Sequence, residues 1–559
     1  RDTIAARNFL RSVAAGSGCY IHVMEQAAKE LKSAALAGRK LKGVDALHRL
    51  CDELGIGEAD DSQMALRLSE AVLEDLRRPY EEPMHLTEKL AYAKRTGVWK
   101  NAGLLPGGAK DEIFNAIVKT STNLNSDPMD MLTQCLRLGI STGIYGLVLV
   151  NRLNDILMGE PELGFDPVGM RVIDPECINI MVTGHQHSMF GSLTGMMEHP
   201  EIKEMADRAG ARGIRIVGCT CVGQDFQARS RCYEKVFCGH AGNNYSSEAV
   251  LLTGCIDLVV SEFNCSLPGI EPICEELSIP MLCLDDVAKK KGARHLPYHP
   301  EDREDVSVNV IAAAIASYVR RSRAGKRQNP MQDHGCNEAV TGVTERTLKG
   351  ALGGSFAPLI DLIAAGSIKG VAAVVGCSNL RAKGHDVFTV ELVKKLIARD
   401  ILVVSAGCTC GGLENCGLMS RDAAGLAGPG LSQVCRSLGI PPVLNFGPCL
   451  AIGRIEAVAG ELAGALGVDL PKLPVVVSAP QWLEEQALAD GAFALALGFH
   501  LHLGLAPFVM GSPVILDVLC NQMEGITGGK LMVETEIDAA AEKIAAVITD
   551  KRRGLGLNE

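Results

Sequence analysis

The 559-residue chain contains no dense run of Lys or Arg, and its formal net charge is −11. Together these exclude nucleic acid as a partner. No apolar run reads as a membrane span. Ser141–Val150 is apolar but short, with Arg152 and Asp155 close behind it. Ala492–Met510 carries His500 and His502 and reads as a buried strand and loop. No signal peptide, short-period repeat or long low-complexity linker is visible. The sequence opens on Arg1 rather than Met, so a start further upstream is expected. Aromatic residues are scarce at 4%, whereas the 60 glycines suit many tight strand–helix turns. Hydrophobic residues at 47% and charged ones at 22% are ordinary for a globular protein, and the length allows about three domains with large cores.

What the chain has in quantity is cysteine, 20 residues in a protein that reads as cytoplasmic. Disulfides do not persist in a reducing compartment. Free Cys is also a good small core residue. Cys51, Cys135, Cys274, Cys283, Cys435 and Cys520 sit in apolar or helical patterns and are read that way.

Residues 1–160 read as helical, with apolar residues at helical spacing over Asp2–Lys32, Asp61–Leu76 and Asp111–Leu138. From about 161 short Val/Ile/Leu-rich runs alternate with helical stretches, such as Pro200–Ala209, the pattern of βαβ units. Six of these runs end in a soft metal ligand. They are CINIMVTGH to His185, GIRIVGCTC to Cys221, CIDLVVSEFNC to Cys265, GVAAVVGC to Cys377, DILVVSAGC to Cys408 and PPVLNFGPC to Cys449. The ligand intervals are 36 and 44 residues in the first half, and 31 and 41 in the second, after Arg320–Asn337. Each interval matches one strand plus one crossover helix. Two doubly wound halves, 161–325 and 326–559, therefore each offer three ligands at strand ends, where open α/β sheets bind.

Thiolate is the ligand that iron–sulfur clusters prefer, and imidazole can replace it at one metal. Electron-transfer clusters draw several ligands from one compact motif. Here they are spread over more than 260 residues, which points to an unusual cluster in a deep interdomain pocket. Other soft residues stand nearby. Cys219 and Cys221 would share a face if both were in strand, and Cys219 or Cys410 would then be an alternate ligand. Cys416 is a further thiol close to Cys408. Cys232, Cys238 and His240 have the spacing of a small metal site, and His187 follows His185 closely.

The segments INIMVTGHQH, GCTCVGQDF, HAGNN, EFNCSLPGI, VVGCSNLRAKGHD, VVSAGC, NFGPCLAIGRI and SAPQWLEEQAL resemble the catalytic subunit of the nickel–iron carbon monoxide dehydrogenases, with the hybrid-cluster proteins as more distant relatives. The resemblance runs through the whole chain. It implies an α/β protein, a helical domain followed by two Rossmann-like domains with doubly wound parallel sheets. It also implies an anaerobic oxidoreductase turning CO and H2O into CO2, two protons and two electrons at a Ni-Fe-S cluster. By the match His185 and Cys221 bind an outlying iron, Cys265, Cys377 and Cys408 hold the other irons, and Cys449 binds nickel. A homodimer and a redox partner such as ferredoxin are implied as well.

Three departures stand beside the match. The family's acid/base lysine is replaced by Gln486, which cannot take a proton near neutral pH. Of the family's helical row of relay histidines only His22 remains. The family's Cys-rich electron-wiring segment precedes the point at which this sequence begins. The catalytic candidates are accordingly His185, Gln486 and His22, with His500 and His502 as substitute proton carriers. The departures keep other readings open. One is a hybrid-cluster enzyme with an iron–sulfur–oxygen centre that reduces a small nitrogen substrate such as hydroxylamine. Others are a non-enzymatic redox or electron-transfer protein and a cluster-assembly accessory.

Overall fold

In the computed structural model the described residues are 1–57, 60–122, 124–325 and 338–558. The N-terminal part is helical, led by the long helix Asp2–Leu36, whose apolar face is buried from Ala6 to Ala34. The helical run read over Asp111–Leu138 is in fact two helices, Ala109–Lys119 and Pro128–Ser141. The break falls where Asp127 caps the second helix, accepting from the Met129 and Asp130 N–H groups, and Pro128 takes the first helical turn. That second helix continues through a π-helical stretch, Thr142–Leu149, to Met158. Its full length, Pro128–Met158, is long and apolar enough to cross a membrane, but 89% of its most apolar window is buried inside the protein. Ala492–Ala496, read as strand, ends the helix Glu485–Ala496, and the strand starts only at His500.

Fourteen strands follow among the described residues. In chain order they are β1 Gly164–Pro167, β2 Ile178–Thr183, β3 Ile214–Cys219, β4 Phe237–Gly242, β5 Leu258–Ser261, β6 Met281–Cys283, β7 Arg294–His295, β8 Glu338–Thr341, β9 Gly370–Val375, β10 Ile401–Ala406, β11 Val443–Asn445, β12 Val475–Ala479, β13 His500–Leu503 and β14 Lys530–Val533. They form two six-stranded sheets, β4-β3-β2-β5-β6-β7 and β11-β10-β9-β12-β13-β14, with every pairing parallel. Counted from its own first strand, each sheet has the order 3-2-1-4-5-6, the doubly wound arrangement. An antiparallel pair, β1 with β8, bridges the two halves. The stretch read as the boundary, Arg320–Asn337, holds the end of helix Arg303–Arg323, and residues 326–337 lie outside the described residues.

The strands read as unbroken apolar runs because both sheet faces are covered. Along β2, Ile178, Ile180 and Val182 pack into one core, and Met181 faces another with Val217 and Val259. The second sheet and the N-terminal helices share a single core. Two close contacts bind them. Trp99 donates its indole N–H to the Ala496 carbonyl at 2.8 Å. Gly16 lets the first helix lie directly on the start of helix Glu485–Ala496: a Cβ there would come within 2.2 Å of the Glu485 carbonyl oxygen.

Gly16→Ala is therefore expected to force these helices apart and cost about 1–3 kcal/mol, lowering the thermal unfolding midpoint. Gly18→Ala, where nothing lies within 4 Å of the added methyl, should leave the midpoint unchanged or raise it. Equal midpoints for both variants would contradict the close contact.

Candidate metal centre

All six predicted ligands lie just beyond the carboxyl end of a parallel strand. His185, Cys221 and Cys265 follow β2, β3 and β5, and Cys377, Cys408 and Cys449 follow β9, β10 and β11. Strands β2 and β5 flank the point where the order of the first sheet reverses, and β9 flanks the equivalent point in the second. Such switch points open a crevice between the diverging connections. The two crevices meet. The ligand atoms of His185, Cys221 and Cys449 lie within 4.8 Å of one another, joining the first half to the second. Cys265 Sγ is 3.2 Å from His185 Nδ1. Cys408 lies within electrostatic reach of both Cys377 and Cys449.

The chain between strand and ligand is tightly turned. Thr220, between β3 and Cys221, has φ 54°, as does Cys265 itself. The kink at Thr220 ends the alternation of β3, so Cys219 and Cys221 do not share a face; Cys219 packs into the core with Val217 and Ala241. Gly407, before Cys408, has φ +89°, and a Cβ there would lie 2.6 Å from Cys449 Sγ. Only glycine satisfies both the turn and the approach.

Backbone amides point at the thiols. The Cys449 N–H donates to Cys221 Sγ at 3.2 Å. The Leu483 and Glu484 amides face Cys377, and the Asn244 amide faces Cys408. Burial nevertheless pushes the Cys221, Cys377 and Cys408 thiols well above their ordinary range. For Cys449 the thiol of Cys221 and then burial act the same way. For Cys265 the contact with Cys221 pulls down, but burial and the charges of Glu484, Cys408 and Cys449 outweigh it. His185 is pushed down to about 3 by burial and by neighbouring His187, so its ring is neutral. Its Nε2 is buried without a hydrogen-bond partner. A neutral imidazole with a bare nitrogen, among five thiols that resist ionising without a cation, fits a soft metal cluster.

The other sequence candidates fall into place around this set. Gln486 lies beside the Cys265 loop: its Oε1 accepts from Asn264 Nδ2, and Asn264 Oδ1 accepts from the Cys265 N–H at 2.8 Å. The Gln486 Nε2 is buried and unpartnered. His22 does not join the six ligands. Its Nε2 is 2.8 Å from Asp285 Oδ2 and 3.0 Å from the amide of Gln186, which also donates to Asp285. Burial would lower the His22 pKa, but the hydrogen bond and charge of Asp285, with Asp286 and Glu262, turn the net shift upward. His187 is buried, its Nδ1 2.8 Å from Asp225. His502 is satisfied by Ser478 Oγ and the Glu534 carbonyl, at 2.8 and 3.0 Å, and His500 lies by Glu524; neither reaches the ligand set.

Cys232, Cys238 and His240 do not converge: Cys238 Sγ donates to the Ile216 carbonyl, His240 pairs with Glu414, and Cys232 packs against Gly159. Cys410 is buried, its thiol 3.5 Å from the Gly447 carbonyl, and Cys416 is exposed. Cys51, Cys135, Cys274, Cys283 and Cys435 are core residues, and Cys520 is partly buried. No cysteine among the described residues is in a disulfide.

Sequence reading missed four residues of the pocket. Glu262 accepts from the His185 backbone N–H and fixes the ligand loop. Glu484 Oε2 lies 3.7 Å from Cys265 Sγ. Tyr20 packs edge-on to the His185 ring, centroids 6.3 Å apart, and donates to Asp490. The one available signal was Asp490 itself, a lone acid in the apolar run QALADGAFALAL.

Two doubly wound sheets with a thiol-rich metal pocket at their joint switch points define a cluster-binding α/β protein. The chain belongs to the Prismane/CO dehydrogenase family, whose sequence model matches residues 1–538. It is 44% identical to a carbon monoxide dehydrogenase of Methanocaldococcus jannaschii over 100% of this chain and 89% of that protein. A nickel-free carbon monoxide dehydrogenase from Thermococcus sp. AM4 superimposes with a TM-score of 0.93 at 33% identity, over 100% of this chain and 87% of the other. Carbon monoxide dehydrogenase IV from Carboxydothermus hydrogenoformans matches equally well, TM-score 0.93 at 31% identity, over 100% and 89%.

Asp285→Asn is expected to move the His22 titration to lower pH, because the raising hydrogen bond and charge are lost while burial remains. Histidine-labelled NMR reads the midpoint; an unmoved value would show that Asp285 does not control the ring.

Proposed function

We propose that this protein is a carbon monoxide dehydrogenase of the anaerobic type, catalysing CO + H2O ⇌ CO2 + 2H+ + 2 electrons. The observation that carries the reading is the meeting of one neutral imidazole and five thiols, four buried and Cys377 partly so, at the carboxyl ends of two doubly wound sheets. In this reading His185 and Cys221 hold an outlying iron, Cys265, Cys377 and Cys408 hold the remaining irons, and Cys449 holds nickel. When bound, the cluster supplies Lewis acidity and takes up the two electrons.

The chain's own residues do the rest. Glu262 holds the His185 loop in place through the backbone N–H. Gln486 presents an unpartnered amide N–H to the pocket, a hydrogen-bond donor for a polarised oxygen. His22, held by Asp285 and joined through Gln186 to the His185 loop, stands on a route for protons to the surface. The apolar cores behind both ligand loops keep bulk water out.

In the same reading the chain divides into a helical domain, 1–160, and two Rossmann-like domains, 161–325 and 326–559. It works in the cytoplasm as a homodimer and passes electrons to a small redox protein such as ferredoxin.

Anaerobically purified protein is expected to contain stoichiometric nickel as well as iron and to reduce a viologen dye with CO. An iron-only protein without CO-dependent dye reduction would overturn the reading, and hydroxylamine turnover by it would favour the hybrid-cluster alternative. Cys449→Ala should lose nickel while most iron stays; loss of all metal together would contradict the role given to Cys449.

A further inference from the structure

On the reaction proposed above, every turnover releases two protons in a buried pocket. The six ligands are committed to metal and Gln486 cannot ionise. Of the acids beside them, Glu262 is occupied by the His185 backbone N–H and Glu484 lies against the Cys265 thiol, while His22, held by Asp285 and Gln186, stands outside the ligand set. One turn beyond Gln486, at i+4 and so on the same face of helix Glu485–Ala496, stands Asp490. Its Oδ2 accepts from the Tyr20 hydroxyl at 2.9 Å. The Tyr20 ring lies edge-on to that of His185, so the pair abuts the ligand set. Asp490 Oδ1 is buried and has no hydrogen-bond partner. An unpaired oxygen on a buried carboxyl is destabilising, so a sequence tuned only for stability would replace it.

Asp490 also lines a narrow apolar cavity of about 50 Å³ between its own helix, helix Ile452–Leu466 and the second sheet. The cavity reaches Gly376, next to the ligand Cys377, and Glu456, a second buried carboxyl. A water needs roughly 10–15 Å³ and polar partners; the cavity has the room, and the Asp490 and Glu456 carboxyls are the polar side chains in its lining.

We infer that Asp490 is the proton acceptor of this site, its carboxylate taking up on Oδ1 a proton released as CO and water become CO2. The two electrons would be taken by two equivalents of a one-electron acceptor by way of the cluster these ligands would hold. The two protons would be accepted in turn by Asp490, which passes the first on along the cavity before taking the second. The role rests on the CO-oxidising reading. The ionisable groups facing Asp490 are Tyr20 from the first helix, Cys449 from the loop after β11, and Glu456 across the cavity. Burial pushes Asp490 up to about 8, with the Tyr20 hydrogen bond pulling the other way. Burial alone brings Glu456 to about 8. An acceptor whose pKa lies near the working pH transfers protons best.

The test uses purified protein in two measurements. Infrared pH titration of wild type should show a protonated-carboxyl component that fades as pH rises through about 8, part of which is missing from Asp490→Asn and a further part from Glu456→Gln, beside the components of Glu30 and Glu262 that fade at about 7. In metal-loaded enzyme, CO oxidation should rise with pH over the same range as the base becomes free. Asp490→Asn should lose that limb and about a hundredfold in kcat with its metal content unchanged. Tyr20→Phe removes a hydrogen bond that favours the carboxylate, so its limb should move to higher pH. If Asp490→Asn fails to take up metal, the Tyr20→Phe profile decides, and an unmoved limb overturns the inference. So does a wild-type rate and pH profile in Asp490→Asn, or a carboxyl band unaffected by that substitution. A wild type that carries the band but never oxidises CO overturns the activity proposed above and this role with it, leaving the buried acid established.

Discussion

Soft donors crowded together are the constraint on which this architecture depends. Five thiols and an imidazole share one pocket, and each thiol is held above its ordinary pKa by burial or by its neighbours. Ionising several of them there without a cation would set like charges against one another in a low-dielectric space. The scaffold must therefore hold the donors in place by itself. It does so with backbone amides aimed at three of the sulfurs, from Cys449, from Leu483 and Glu484, and from Asn244. Such amides favour the thiolate that a metal requires, and they cost no charge. The six donors come from six separate strand ends, three in each of two sheets of identical strand order.

Around those six side chains stand groups of several kinds. Gln486 is a donor that cannot ionise. His22 is hydrogen-bonded to Asp285. A pair of buried acids, Asp490 and Glu456, lies on the helices that cover the second sheet. Gly16 and Tyr20 lie one turn apart on the first helix. The glycine brings that helix onto the Glu485–Gln486 backbone, and the tyrosine then reaches Asp490. Helix packing and proton chemistry thus depend on the same short contact.

The strands and their ligands were legible because local chemistry and fold agree there. A buried parallel strand must be apolar on both faces, and its end is where an α/β sheet places function. The helical break at Asp127-Pro128 was harder to read, because apolar spacing continues across it. A shared face for Cys219 and Cys221 required both to lie in strand, and nothing in the local pattern shows that Thr220 adopts φ 54°; Cys219 is a core residue. His500 and His502 alternate as a strand predicts, but their partners, Glu524 for one and Ser478 with the Glu534 carbonyl for the other, are up to 32 residues away.

By itself the sequence determined the α/β class and the strand ends that carry His185, Cys221, Cys265, Cys377, Cys408 and Cys449, since each of these follows from residue type and short-range periodicity. Only the tertiary structure decided that the donors of both halves meet, that Cys232, Cys238 and His240 do not, and that Tyr20 touches Asp490 across 470 positions of chain. The physical reason is the same in each case. Periodicity reports which face a residue occupies, whereas a site is made by faces of distant elements whose approach depends on packing at single positions such as Gly16 and Gly407.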